Sequence, residues 1–298
     1  MAARARLAIT LGDPRGIGAE VVRKALADPR VVAAVEPTII GPEGTEQNAD
    51  VVVGSWSPGG TEAAAGRLAG LAIERAVRLA KSGAVNGIVT APIDKRGLLA
   101  GGYDYPGHTE MLAALTGTRT AMMLASDRLR VVLATTHIPL RDVADAVTAE
   151  AIAIAAGITA HGLRDWFGIA EPRIALCALN PHAGDGGRFG NEDDAVLAPA
   201  ARAAGISGPF SADTVFVRAM GGEFDAVIAP YHDVGMTAIK VASFGSAVNV
   251  TLGLPFPRTS PDHGTALDIA GKGIARADSM IASLLLAAKI VGRATPAG

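Results

Sequence analysis

Apolar runs of strand length alternate along this chain with helical patterns of ten or more residues, the signature of successive βαβ units. Strands are expected at 7–11, 37–40, 87–90 and 248–252, and helices at 18–26 and 61–81. The runs 121–124 and 129–133, joined through Ser126 and Asp127, read as an antiparallel pair. Residues 148–166 read as a helix with a glycine inside it, and 189–204 as largely helical with Asn191 as cap. Residues 43–60 are polar and contain Gly and Pro, so they read as a loop or compact excursion despite the run Val51-Val52-Val53. Two helices are expected to close the chain, near 265–271 and 277–290. The alternation predicts an α/β protein, and no repeat or linker-like segment marks a domain boundary.

Three further apolar runs each lead into a histidine. They are 131–134 before His137, 174–179 before His182, and 226–229 before His232. In open α/β sheets the carboxyl ends of the strands carry the ligand site. Three imidazoles converging there on one divalent ion point to a metal-assisted enzyme. The plain alternative for each is a hydrogen-bonded structural histidine. Asp185 follows His182 and Asp233 follows His232, carboxylates placed to orient an imidazole or hold metal-bound water. His161 sits inside a helical pattern and reads as structural.

Composition narrows the class. The chain has 298 residues, so one large domain or two smaller ones can form. Hydrophobic residues make up 49% and aromatics 4%, which leaves the core to Ala, Val, Ile and Leu. A net charge of −2 argues against nucleic acid or an anionic membrane as a partner bound by bulk charge, but not against a small anion held by a few cations. The single cysteine, Cys177, lies in an apolar run and reads as a buried thiol. No signal peptide or membrane-length apolar run is visible, so a cytoplasmic protein is expected. A mean hydropathy of +0.32 hints at surface covered in an oligomer.

Other motifs carry polar chemistry. Gly12-Asp13-Pro14-Arg15-Gly16-Ile17-Gly18 links a strand to a helix but lacks the dinucleotide and Walker spacings, so a plain turn competes with a ligand loop. Gly107-His108-Thr109-Glu110 opens a helical pattern, with Thr109 as expected cap and His108 placed to donate to a phosphate or carboxylate. Lys240, Asn249 and Arg258 follow His232 at intervals of 8, 9 and 9 residues, expected at loop or strand ends where they can clamp an anion or stay as solvated surface. The segment from Ser260 to Gly273 reads as a loop running into a capped helix, able to hold a nucleotide.

Together these motifs resemble the 4-hydroxythreonine-4-phosphate dehydrogenases of vitamin B6 biosynthesis. The resemblance runs nearly end to end, through Gly12–Gly18, Val89–Lys95, Gly107–Glu110, Ala134–Asp142, Leu179–Gly187, Asp213–Phe216, Tyr231–Lys240 and Asn249–Gly273. His263–Gly273 also resembles the adenine-side loop of isocitrate and isopropylmalate dehydrogenases. The resemblance implies an α/β/α subunit of that type, with two subdomains and an active-site cleft between them. The expected subdomains are 1–104 plus 240–298 on the cofactor side, and 105–239 on the metal and dimer side. His137, His182 and His232 match metal ligands, drawn in the family from two subunits of a homodimer. His108, Thr109, Lys240, Asn249 and Arg258 match substrate-binding positions. Asp213, Asp233 and Lys240 match the candidates for proton transfer. Asp262, His263, Gly264, Thr265, Asp268 and Gly271 match the NAD-binding region.

The implied reaction is NAD-dependent oxidation, with decarboxylation, of 4-phosphohydroxy-L-threonine to 3-amino-2-oxopropyl phosphate. The implied cofactors are NAD, or NADP, and a divalent metal, zinc first and Mg2+, Co2+ or Mn2+ as alternatives. Two departures bear on substrate. Val234 stands where the family often has Gln, and the chain is short around 43–60. They keep open a dehydrogenase of the same family acting on D-erythronate or D-threonate 4-phosphate, or on a dihydrodiol dicarboxylate. A phosphate acyltransferase of similar fold is the more distant alternative.

Overall fold

The computed structural model describes residues 3–243 and 246–294. The first apolar run forms strand β1 (Ala5–Thr10), in which only Arg6 faces solvent. Helix α1 (Gly18–Leu26) follows, then the short α2 (Pro29–Ala34), started by the Asp28 carboxylate accepting the Arg30 N–H. Next come β2 (Val35–Glu43), β3 (Val51–Ser55) and the long α3 (Glu62–Lys81), capped by the Thr61 hydroxyl. β4 (Gly87–Thr90) leads to α4 (Lys95–Ala100), capped by Asp94, and α5 (His108–Thr116). β5 (Ala121–Ala125) and β6 (Arg130–Leu133) form the expected antiparallel pair. α6 (Val143–Ala146), α7 (Ala149–Asp165) capped by Thr148, β7 (Ile174–Cys177), α8 (Ala198–Ala203), β8 (Ser207–Phe210) and α9 (Ala212–Met220) follow. The chain ends through β9 (Ala226–Ala229), α10 (His232–Ser243), β10 (Val248–Leu252), β11 (Arg258–Pro261) and α11 (Asp278–Ala294).

Contacts divide the chain into two units, 1–120 with 248–298, and 121–247. The expected boundaries fall at 104/105 and 239/240. The break falls later because α5 packs on α3 and because α10 runs on to Ser243 along β6 and β9. In unit 1 the strand order is β3-β2-β1-β4-β11-β10, parallel except for β10 against β11. Leu7, Ile9 and Leu11 pack with Val21 and Val22 of α1 and Leu284, Ala287 and Val291 of α11. In unit 2 the order is β5-β6-β9-β7-β8, parallel beyond the β5–β6 pair. Its core joins Val131, Leu133, Ala175, Val227 and Ala229 to Met236 and Ile239 of α10.

Several expectations are corrected. Residues 51–55 form an edge strand, because β2 offers a parallel partner that the polar flanks disguised. Residues 265–271 are a series of turns, not a helix, so Thr265 caps nothing and neither Asp262 nor Asp268 starts a helix. Ala266 at φ +44° and Gly271 at φ +73° break any helical path there. The 189–204 helix begins only at Asp193, with a wide turn over Asp193–Leu197, and Asn191 does not cap it. Among the described residues no single helix is long and apolar enough to cross a membrane.

Candidate active site

Strand order explains which histidines meet. β6, β9 and β7 are parallel neighbours, and neighbouring strands lie about 4.8 Å apart. His137 follows β6 and His232 opens α10 directly after β9, so their carboxyl-end turns are adjacent. Ala134 donates its N–H to the Ala229 carbonyl, and the Thr135 hydroxyl donates to the Pro230 carbonyl at 2.7 Å. The two imidazole centroids are 5.2 Å apart. Two imidazoles bound at about 2.0–2.1 Å to one tetrahedral ion have centroids about 5 Å apart, so this pair fits a shared metal. His232 Nδ1 lies 2.9 Å from Asp233 Oδ1, which leaves Nε2 for the ion.

His182 lies beyond β7, one strand further on. Its Nδ1 is 3.9 Å from Asp213 Oδ2 and its side chain is 66% exposed. Among the described residues no three His, Cys, Asp or Glu side chains gather at metal-binding distance. The expected convergence of three imidazoles therefore does not occur within one chain, because β9 separates β6 from β7. The backbone around His182 is also unusual. His182, Ala183 and Asp185 have φ of 52°, 55° and 46°, left-handed values that cost non-glycine residues about 1–2 kcal/mol each.

In unit 1, Arg258 is a large side chain with 1% exposure. Its guanidinium donates to the Thr251 hydroxyl at 2.9 Å and to the Thr90 hydroxyl, and its Nε has no partner. No carboxylate among the described residues hydrogen-bonds it. Glu110 acts on it only through space, and burial pulls the guanidinium down to about 9, still a cation at neutral pH. Val250 pairs with Thr259 in register, so alternation puts Asn249, Thr251, Arg258 and Ser260 on one face of the sheet. Asn249 Oδ1 and His108 Nε2 are also buried without partners. Burial, and then the Arg258 charge, push His108 well below the ordinary histidine range, so its imidazole is neutral. Thr109 is the second residue of α5 and does not cap it, since Gly107 takes that place.

Two other sequence candidates land differently. Lys240 sits exposed on α10, not at a loop or strand end; its position eight residues past His232 puts it about 12 Å further along the helix. Val234 turns inward against the unit 2 core and offers no polar atom.

The 262–273 segment lies on the β1–α1 turn. The Ile17 N–H donates to the Thr265 carbonyl at 3.0 Å, and a Cβ on Gly16 would stand 2.8 Å from that oxygen. The far end is held by α1. Glu20 is fully buried and accepts from Lys24 Nζ at 2.7 Å and the Ala275 N–H at 2.9 Å. Burial opposes the Glu20 charge, but the Lys24 and Ala275 bonds outweigh it and keep the carboxyl below its ordinary range. Lys24 also reaches the Gly273 and Ala275 carbonyls. His263, Gly264 and Asp268 are exposed, and a Cβ on Gly264 would meet nothing within 4 Å. Open backbone on a fixed base fits a nucleotide-binding loop.

Sequence reasoning missed Thr90 and Thr251, which hold Arg258, and the Glu20–Lys24 pair, whose spacing of four on a helix was the available signal. It placed Cys177 correctly. Burial, with Asp193 nearby, pushes that thiol up to about 12, which removes it as a nucleophile.

An α/β fold carrying paired histidines at the ends of parallel strands in one unit, and a buried cation in the other, defines a ligand-binding α/β enzyme. The family described as pyridoxal phosphate biosynthetic protein PdxA matches residues 9–287, and the chain belongs to this family, as one of its dehydrogenases. It is 42% identical to the 4-hydroxythreonine-4-phosphate dehydrogenase of Caulobacter vibrioides, over 96% of this chain and 98% of that protein. It is 40% identical to the D-threonate 4-phosphate dehydrogenase of Salmonella typhimurium, over 95% of this chain and 98% of that protein. The solved 4-hydroxythreonine-4-phosphate dehydrogenase of Klebsiella pneumoniae superposes with a TM-score of 0.86 at 40% identity, covering 97% of this chain and 99% of that one.

Proposed function

We propose that this chain catalyses metal-dependent, NAD(P)-linked oxidation of a phosphorylated hydroxy acid, with 4-phosphohydroxy-L-threonine as substrate and 3-amino-2-oxopropyl phosphate as the decarboxylated product. The observation that carries the anionic substrate is Arg258, a buried cation held by two hydroxyls beside the orphaned atoms of His108 and Asn249. Such a guanidinium favours a phosphate or carboxylate partner, with which it forms charge-assisted bonds. Neutral His108 and the first turn of α5, with Thr109, add donors for the same anion.

His137 and His232 hold the divalent ion, and His182 from a second copy of the chain completes the set in a homodimer. The 5.2 Å pairing of the first two and the exposure of the third support this arrangement. When bound, the ion acts as a Lewis acid on the substrate's hydroxyl and on charge developing during decarboxylation, and the nicotinamide accepts hydride. Three histidines suit zinc, with Mg2+, Co2+ and Mn2+ as alternatives. Asp233 orients His232 through Nδ1 at 2.9 Å, and Asp213, 3.9 Å from His182 Nδ1, is the nearby carboxylate for that histidine. Lys240 is the unit 2 cation assigned to proton transfer or to the substrate's anionic end. Asp262, His263, Gly264, Thr265, Asp268 and Gly271 form the loop that receives the adenine side of NAD or NADP.

A second reading is supported by the names of the relatives, which divide between 4-hydroxythreonine-4-phosphate and D-threonate 4-phosphate dehydrogenases at about equal identity. Inward-facing Val234 leaves the choice to other contacts. The test is NADH formation by metal-free protein with added zinc or magnesium, on 4-phosphohydroxy-L-threonine, D-erythronate 4-phosphate and D-threonate 4-phosphate, repeated after chelation. Chelator-sensitive turnover of the amino substrate is the expected result. Turnover of the sugar acids alone moves the chain to the second reading. Turnover of the amino substrate unaffected by chelation and by His182→Ala rejects the metal role.

A further inference from the structure

The strain at His182 is held by one side chain that nothing in the proposed chemistry uses. Asp193 is fully buried at the far end of the loop that begins at Leu179. Its Oδ1 accepts the Leu179 N–H at 2.8 Å, and its Oδ2 accepts the Asn180 N–H at 2.9 Å and Asn180 Nδ2 at 3.0 Å. The same Nδ2 donates to Glu192 Oε2 at 2.8 Å. The loop is thus closed at its base by carboxylates. A Cβ on Gly190 would lie 2.5 Å from Glu192 Oε2 and 2.8 Å from Asn180 Nδ2, so backbone fills that closure tightly. Only Pro181, with its fixed φ, stands between the clamped Asn180 and His182. On the other side the N–H groups of Gly187 and Phe189 both donate to the Gly184 carbonyl, at 3.0 and 3.1 Å. A left-handed non-glycine run persists only where its surroundings over-determine it, and this clamp supplies that determination.

We propose that Asp193 is a positioning residue that holds His182 in its left-handed, solvent-facing conformation and thereby sets the affinity of the site for its divalent ion. The inference rests on the reading of His182 as a metal ligand. Asp193 does not touch the ion; it acts through Asn180 and the backbone. Asp193→Asn puts an amide N–H2 against N–H donors and loosens the clamp. Asn180→Ala removes the side-chain bridge to both carboxylates at a partly exposed position, so it reports even where Asp193→Asn does not fold.

The experiment is zinc titration of metal-free full-length protein against a fluorescent zinc chelator, with thermal unfolding of each variant measured alongside. His182→Ala tests the reading on which the inference rests. Asp193→Asn is expected to weaken zinc binding roughly 10–100-fold, the range seen when a group supporting a ligand is lost. Asn180→Ala weakens it less. Turnover at saturating zinc stays close to the parent value in both. Ala183→Gly, added to Asp193→Asn, relieves left-handed strain and restores part of the affinity. Unchanged zinc affinity in His182→Ala removes the ligand reading and the inference with it. Weakened binding in His182→Ala with parental affinity in Asn180→Ala and Asp193→Asn overturns the inference alone. A lowered melting temperature without loss of zinc affinity also overturns it, since that is what a merely structural carboxylate gives.

Discussion

Arg258→Met separates a structural arginine from one kept for a ligand. Arg258 is 1% exposed, and among the described residues no carboxylate hydrogen-bonds its guanidinium. Its depression from 12.5 to about 9 corresponds to about 5 kcal/mol spent on holding the charge in this place. Methionine fills a similar path without charge. The hydroxyls of Thr90 and Thr251 then lose a donor, at about 1 kcal/mol each, because each keeps its own O–H to place elsewhere. The variant is therefore expected to be more stable than the parent, by about 2–3 kcal/mol, despite losing two hydrogen bonds. For a chain of this size that is a rise of roughly 5 °C in melting temperature. The same change removes a buried cation from the proposed anion site, and kcat/KM for the phosphorylated substrate should fall by about two to three orders of magnitude.

Thermal unfolding with and without inorganic phosphate gives the decisive comparison. An anion that binds only the folded parent raises its melting temperature with concentration, while Arg258→Met does not respond. A variant that melts below the parent in phosphate-free buffer refutes the reasoning, because Arg258 would then be a net structural contributor. A variant that melts higher and keeps full turnover refutes the assignment to the substrate.

Two further changes test the other parts of the site. A Cβ on Gly16 would stand 2.8 Å from the Thr265 carbonyl and 2.9 Å from Thr265 Cβ, so Gly16→Ala displaces the 262–273 loop; KM for NAD(P) should rise about tenfold with kcat within twofold, and an unchanged KM removes that loop from cofactor binding. His108 is neutral in the folded chain and its folded value lies below its unfolded one, so the unfolded state takes up the proton first as pH falls. His108 then contributes nothing to the pH dependence of stability above the unfolded value near 6.5, and below it costs up to about 1.4 kcal/mol per pH unit until its folded value is reached. His108→Gln should flatten that acid limb in a urea-denaturation series, and an unaltered limb would place the loss elsewhere.

The sequence was most legible where local chemistry and tertiary environment agree. Thr61 and Thr148 open two of the expected helices, and each accepts the N–H three residues on. The runs of β4 and β10 match their expected bounds, β4 as a short run buried along its whole length and β10 as the alternation of Val248, Val250 and Leu252 with Asn249 and Thr251. The edge strand β3 is hidden, since its burial alternates weakly and polar residues with Gly and Pro flank its short apolar run. The segment 265–271 carries a helix-like composition, yet its ends are tied to Ile17 and Lys24, and those ties override propensity.

The candidate site was legible as residue types but not as geometry. Sequence placed His137, His182 and His232 at equivalent strand ends, and nothing in their spacing says that β9 lies between β6 and β7. Spatial order is 137, 232, 182, so two imidazoles meet and the third stands apart. The energetic departures were equally silent. Three left-handed non-glycines around His182 and an arginine buried without a carboxylate partner each oppose folding. A chain that keeps both has its local rules broken at the residues assigned to the ion and the anion, the pattern expected when stability is given up for a site. Arg258→Met in one unit and Ala183→Gly in the other should therefore both raise stability, and additively, because each relieves a cost local to its own unit.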